Sequence, residues 1–125
     1  MKILLDTHIL IWSLSSPELL SEKAKKYIQD SSMLYVSAAS LWEMSIKTSI
    51  GKLELNLSEL KKQLTVLGVN ELMISWEHAL LTETLPWHHK DPFDRLLIAQ
   101  AMSEPLILLT NDKLLAQYTT LVKVV

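Results

Sequence analysis

The feature that most constrains this chain is an alternation. Short, almost wholly apolar runs (Ile3-Leu4-Leu5, Met33-Leu34-Tyr35-Val36 and Leu106-Ile107-Leu108-Leu109) are separated by longer segments with helical spacing of apolar residues. A strand that is apolar on both faces must be covered on both, which is the situation of a parallel sheet between two layers of helices. The pattern predicts strands over residues 2–5, 33–36, 70–74, 106–109 and 121–125. It predicts helices over 7–14, 18–30, 37–50, 57–67, 76–85, 92–103 and 112–118. Gly51 and Gly68 stand where helices end, Pro86 stops one, Asp91-Pro92 opens another, and Ser58 is the expected cap of the 57–67 helix. With 125 residues, 49% of them apolar and only two glycines, the chain suits one domain over 1–125 with no linker or disordered tail.

Composition narrows the chemistry. There is no cysteine, so there is neither a disulfide framework nor a thiolate metal site, and any metal must be held by oxygen or imidazole. The first apolar run is too short for a secretory leader, and charges interrupt every stretch that could approach the ~20 residues of a membrane span. A soluble protein of the reducing cytoplasm, with no membrane association, is expected. Twelve basic against fourteen acidic residues give a net charge of −2, which argues against a protein that grips nucleic acid by phosphate contacts alone. It argues less against a nuclease, whose acidic pocket gains positive charge from bound metal. The lysines at 23, 25 and 26, at 47 and 52, and at 61 and 62 read as solvated helix faces.

Four acids, Asp6, Glu43, Asp94 and Asp112, each follow a strand-like run or lie near the start of a helix-like one. In a parallel sheet covered by helices, strand C-termini and helix N-termini share one edge, so all four project there. Each alone has an ordinary explanation. Asp6 and Asp112 could cap or face helix N-termini, Asp94 could reach back to Asp91 in a variant capping box, and Glu43 could pair with Lys47 one turn on. Together they do not, because several carboxylates in one crevice repel one another unless a cation is present. If the first and fourth strands are neighbours, Asp6 and Asp112 face each other where doubly wound sheets bind ligands. Mg²⁺ or Mn²⁺ prefers such oxygens, and a metal-acidified water can attack a phosphodiester.

At these residues the sequence resembles the PIN-domain ribonucleases, and within them the VapC-like toxins of bacterial toxin–antitoxin pairs. The matching segments run in order along the chain: Leu4-Leu5-Asp6-Thr7-His8, Ser37-Ala38-Ala39-Ser40-Leu41-Trp42-Glu43, Asp91-Pro92-Phe93-Asp94-Arg95-Leu96-Leu97-Ile98-Ala99-Gln100-Ala101 and Leu109-Thr110-Asn111-Asp112. The resemblance implies an α/β/α sandwich with a five-stranded parallel sheet, a Mg²⁺ or Mn²⁺ site and endonucleolytic cleavage of RNA. It carries over Asp6 and Asp94 as the main metal ligands. Glu43 and Asp112 would bind through water, hold a second ion or orient the nucleophile. It also implies a cognate antitoxin and a homodimer, for which Trp12, Trp42, Ile46 and Ile50 supply excess apolar surface.

Other residues are assigned more loosely. Thr7 and Thr110 could fix carboxylates or waters, or cap helices, and with His89 and Arg95 they form a candidate substrate-binding set. Arg95 is expected to pair with a nearby acid in preference to a phosphate. His8 either approaches the rim or packs in the first turn, His88 and His89 lie in a polar loop before the 92–103 helix, and His78 reads as a surface or helix-packing residue. Trp12 and Trp42 fit core or interface positions, and Trp87 is the best candidate for stacking on a base. Competing functions are a non-toxin RNA-processing or flap-type nuclease, and an inactive PIN interaction module, which would be expected to lack an acid. A response-regulator receiver is excluded, since Ser75 and Trp76 follow the middle strand where it needs a phosphoacceptor Asp.

Overall fold

A computed structural model describes residues 1–125. Five parallel strands, β1 (Lys2–Leu5), β2 (Met33–Ser37), β3 (Asn70–Leu72), β4 (Ile107–Thr110) and β5 (Val122–Val124), form one sheet in the order β3-β2-β1-β4-β5. The chain steps outward from β1 to β3 and then returns to β1's other side. The topological switch point therefore lies between β1 and β4, where crevices of doubly wound sheets open. Six helices cover the sheet: α1 (Thr7–Ser15), α2 (Glu22–Asp30), α3 (Ala38–Ser49), α4 (Leu57–Val66), α5 (Trp76–Leu81) and α6 (Pro92–Ser103).

The two-residue period of the strands divides the core. Ile3, Leu5 and Leu109 point to one face, where they pack with residues of α1 to α4 such as Ile9, Leu10, Ala24, Met44 and Leu60. Leu4 and Leu108 point to the other, against Leu97, Ile98 and Ala101 of α6 and Leu115. The expected three-layer α/β/α sandwich is the one observed. No helix is long and apolar enough to cross a membrane.

Departures from the predicted elements have local causes. The 18–30 helix is broken, because Pro17–Leu19 make a single tight turn, Leu20 is extended and buried, and Ser21 caps α2 by accepting the Ala24 N–H at 3.0 Å. The 76–85 and 112–118 segments likewise tighten, the first at Thr82–Thr84 and the second, at Lys113–Gln117, over its whole length. Gly51 and Gly68 end α3 and α4 at φ of 77° and 73°. In each case the following N–H reaches back to the third-last helical carbonyl, Lys52 to Lys47 and Val69 to Leu64. Ser58 does not cap α4. Asn56 does, its Oδ1 accepting the Glu59 N–H at 3.1 Å, which places Ser58 inside the first turn. Asn56→Ala should therefore cost about 1 kcal/mol in urea denaturation and Ser58→Ala under about 0.5 kcal/mol; the reverse ranking would contradict this helix start.

Candidate metal centre

The strand ends and helix caps that build the fold also place the acids. Asp6 follows β1 directly. Its backbone N–H donates to Leu109 O at 3.0 Å, continuing the β1–β4 ladder, while its Oδ1 caps α1 by accepting the His8 N–H at 2.8 Å. Its Oδ2 accepts the Thr110 hydroxyl at 2.6 Å. That hydroxyl also accepts the backbone N–H of Asp112 at 3.1 Å, so one buried threonine at the end of β4 joins two of the acids. Asp112 caps the turn after β4, its Oδ1 accepting the Leu114 N–H at 2.9 Å.

Glu43 lies in the second turn of α3, one turn beyond Ser40, whose hydroxyl accepts that of Thr7 at 2.9 Å and ties α3 to α1. Its Oε2 pairs with Lys47 Nζ at 3.0 Å. Asp94 sits at the third position of α6. Asp91 caps that helix by accepting the N–H groups of Phe93 and Asp94, at 2.8 and 3.2 Å. The expected reach-back by Asp94 is not made, since the Asp91 N–H donates to His89 Nδ1 at 3.0 Å. The Asp94 carboxylate accepts no protein hydrogen bond; His89 Nε2 lies 3.5 Å from its Oδ2.

These side chains share one space. Burial pushes the Asp6 carboxyl up, in spite of the hydrogen bonds from Thr110 and His8 that lower it. Asp94 is pushed up to about 7, first by burial and then by the charges of Asp6 and Asp91, with Glu43 adding to the effect and His89 opposing it. Asp94 also stands with Asp112 and His89, one ligand atom from each lying within 4.8 Å of the others. Asp94 thus belongs both to the buried group with Asp6 and Glu43 and to the outer group with Asp112. Side-chain exposure rises from 3% at Asp6 to 20% at Asp94 and 32% at Asp112, so the site opens on the α6 side. Clustered carboxylates, with the proton affinity of Asp6 and Asp94 raised and the Asp94 carboxylate accepting no protein hydrogen bond, fit a hard divalent cation. The three clefts beside α4, of about 330, 210 and 480 Å³, are lined by none of the four acids.

The candidate substrate set needs correction. Thr7 and Thr110 are buried, with hydroxyls bonded to Ser40 and Asp6; Thr110 fixes a carboxylate, as expected, and neither residue faces the surface. Arg95 is also buried, and its partner is not an acid. The guanidinium donates to the carbonyls of Pro86, Thr82 and Leu85 at 2.8, 3.0 and 3.2 Å and to the Tyr118 hydroxyl at 3.1 Å. Trp87 lies over it at 3.7 Å and is still 76% exposed. His8 is exposed at the rim, 3.8 Å from Asp6. His88 packs edge-on against Tyr118. His78 is buried as the reciprocal partner of Ser75 in a capping box and binds Glu104 at 2.6 Å. Trp42 is neither core nor covered but 59% exposed, edge-on to Phe93. Tyr118 went unmarked in the sequence, where an isolated tyrosine after a short helix carries no signal.

The chain belongs to the PIN-domain family, whose model matches residues 3–121. No curated protein sequence matches it. Among solved structures it is similar to a chain of VapBC2 from Rickettsia felis bound to a promoter DNA fragment, with 17% identity, 98% of each chain covered and a TM-score of 0.73. DNA-bound VapBC from Salmonella typhimurium gives 17% identity over 100% of this chain and 97% of that one, at a TM-score of 0.72. A toxin–antitoxin complex from Klebsiella pneumoniae gives 21% identity over 97% and 95%, at 0.67. At these identities the likeness establishes the fold.

The elevated Asp94 carboxyl has a signed consequence. The unfolded chain ionises this group near 3.8 and the folded chain near 7, so the folded state binds the extra proton between those values. Its contribution to stability is fully present below about pH 4 and is lost as pH rises through about 7. In metal-free protein, raising the pH from about 5.5 to about 7.5 should lower the melting temperature of wild type relative to Asp94→Asn. Parallel pH dependence of the two proteins would contradict the assigned shift.

Proposed function

We propose that this protein is a metal-dependent endoribonuclease that hydrolyses RNA phosphodiester bonds, acting as the toxin of a VapBC-like toxin–antitoxin pair. The observation that carries the reading is that Asp6 and Glu43 lie close enough to Asp94 to raise its carboxyl, with Asp112 beside Asp94. A bound Mg²⁺ or Mn²⁺ supplies Lewis acidity toward the phosphate and an acidified water as nucleophile. Asp6, its oxygens oriented by Thr110 and His8, and Asp94, with no competing protein donor, are the residues to hold the cation. Glu43, tethered by Lys47, orients the attacking water and accepts its proton. Asp112 stands on the open side, where RNA enters. None of the four acids is missing, which disfavours an inactive interaction module.

Purified protein should cleave RNA in a reaction abolished by EDTA and restored by Mn²⁺. Asp6→Asn, Glu43→Gln, Asp94→Asn and Asp112→Asn should each lose at least about 100-fold in kcat/KM while remaining folded. Undiminished cleavage by Asp6→Asn would point to another site or a contaminant.

The toxin role rests on the resemblance together with the likeness to VapBC structures. An antitoxin is inferred to lay an apolar segment along the cleft beside α1 and α4 that Ile11, Leu14, Leu55 and Leu60 line, and to set a basic side chain against the acids. A homodimer and a cytoplasmic location belong to the same reading. On α3 and at its C-cap, Trp42, Ile46 and Ile50 expose 59, 39 and 58% of their surface, more than a solitary small domain usually leaves in one stretch. Expression of wild type should arrest growth, co-expression with the product of the adjacent small gene should restore it, and Asp6→Asn should be harmless alone. If wild type is harmless and no neighbouring product binds it, an RNA-processing nuclease becomes the better reading.

A further inference from the structure

His89 stands where a metal ligand would be expected, yet its hydrogen bonds give it a different part. Nδ1 accepts the backbone N–H of Asp91 at 3.0 Å. An acceptor nitrogen carries a lone pair, so in the neutral ring the proton resides on Nε2. That nitrogen lies 2.8 Å from Asp112 Oδ2, the placement of a donor to a carboxylate, and 3.5 Å from Asp94 Oδ2. Coordination through Nε2 would require its lone pair, leaving both ring nitrogens unprotonated or breaking the bond from Asp91.

The ring is also held from behind. The His89 N–H donates to the Tyr118 hydroxyl at 2.9 Å, and that hydroxyl is fixed by Arg95 Nη1 at 3.1 Å. Arg95 at the same time gathers the carbonyls of the 82–86 loop, so this buried guanidinium sets the backbone from which His89 projects. Asp112 has Oδ1 held by Leu114 N–H and Oδ2 by His89, which leaves it one orientation, beside Asp94.

We propose that His89 is a positioning residue of the metal centre: in its Nε2–H tautomer, fixed by Asp91, it orients Asp112 beside Asp94 and does not itself coordinate the metal. The proposal rests on the metal-site reading above. Hydrogen-bond partners of liganding groups tune metal affinity by about 10- to 100-fold, which sets the size of the effect to look for.

The test combines three readouts on the full-length protein. Long-range ¹H–¹⁵N NMR of metal-free wild type should show the His89 ring protonated on Nε2; an Nδ1–H ring would overturn the proposal. Calorimetric titration with Mn²⁺ should show binding weakened about 10- to 100-fold by His89→Ala and largely recovered in His89→Gln, whose amide can donate near the Nε2 position. Equal Mn²⁺ affinity of wild type and His89→Ala would also overturn it. Pulsed electron paramagnetic resonance of the wild-type Mn²⁺ complex should lack the modulation of a directly bound imidazole nitrogen, and its presence would make His89 a ligand. A wild type that bound no Mn²⁺ would instead overturn the metal-site reading, and the tautomer would still be decided without metal. If His89→Ala does not fold, the NMR and resonance measurements on wild type decide the matter.

Discussion

Repulsion between carboxylates at the C-terminal edge of β1 and β4 is the constraint on which the site depends. Two like charges about 5 Å apart at an effective dielectric of about 20 repel by roughly 3 kcal/mol. A capping interaction contributes about 1 kcal/mol. Capping alone therefore does not account for bringing Asp6, Glu43, Asp94 and Asp112 to one edge. The conflict shows in the raised proton affinity of the buried Asp6 and Asp94 carboxyls, Asp94 to about 7, and a cation would relieve it.

The architecture uses the same groups twice. Asp6 caps α1 and faces the crevice, Asp112 caps the turn after β4 and faces it from the other side, and Thr110 binds to both residues. Because β1 and β4 are adjacent strands on either side of the switch point, the Asp6–Thr110 contact is as rigid as the sheet itself. Asp94 and His89 come from a different source, the start of α6 and the loop before it, which Arg95 holds from beneath. One wall of the site thus belongs to the sheet and the other to a loop clamped by one guanidinium.

Much of this was legible in the sequence because it follows from periodicity and from acids at strand ends. The apolar runs located β1, β2 and β4, the spacing of the remaining segments placed β3 and β5, and the alternation implied helices on both faces. The four acidic positions stood out because an acid after a strand-like run is local information. What escaped depended on competition between neighbouring donors and acceptors. Asn56 and Ser58 are both good caps two residues apart, and only the packed helix start selects Asn56. The Asp91 N–H could bond Asp94 or His89, and the loop path decides for His89. Arg95 lies next to an acid in sequence but points the other way across α6, toward carbonyls left unpaired by the tight turn before Pro86. Contacts of this kind leave no periodic trace.

The central claim is that a divalent cation replaces protons held on crowded carboxylates. The direct measurement is the number of protons released on Mn²⁺ binding, obtained by calorimetry in buffers of differing ionisation enthalpy. With the Asp94 carboxyl near 7, wild type at pH 7 should release about half a proton more per bound ion than Asp94→Gln, and the excess should fall away by about pH 8.5. Mn²⁺ binding with no proton release at pH 7, or release that does not depend on Asp94, would contradict the account.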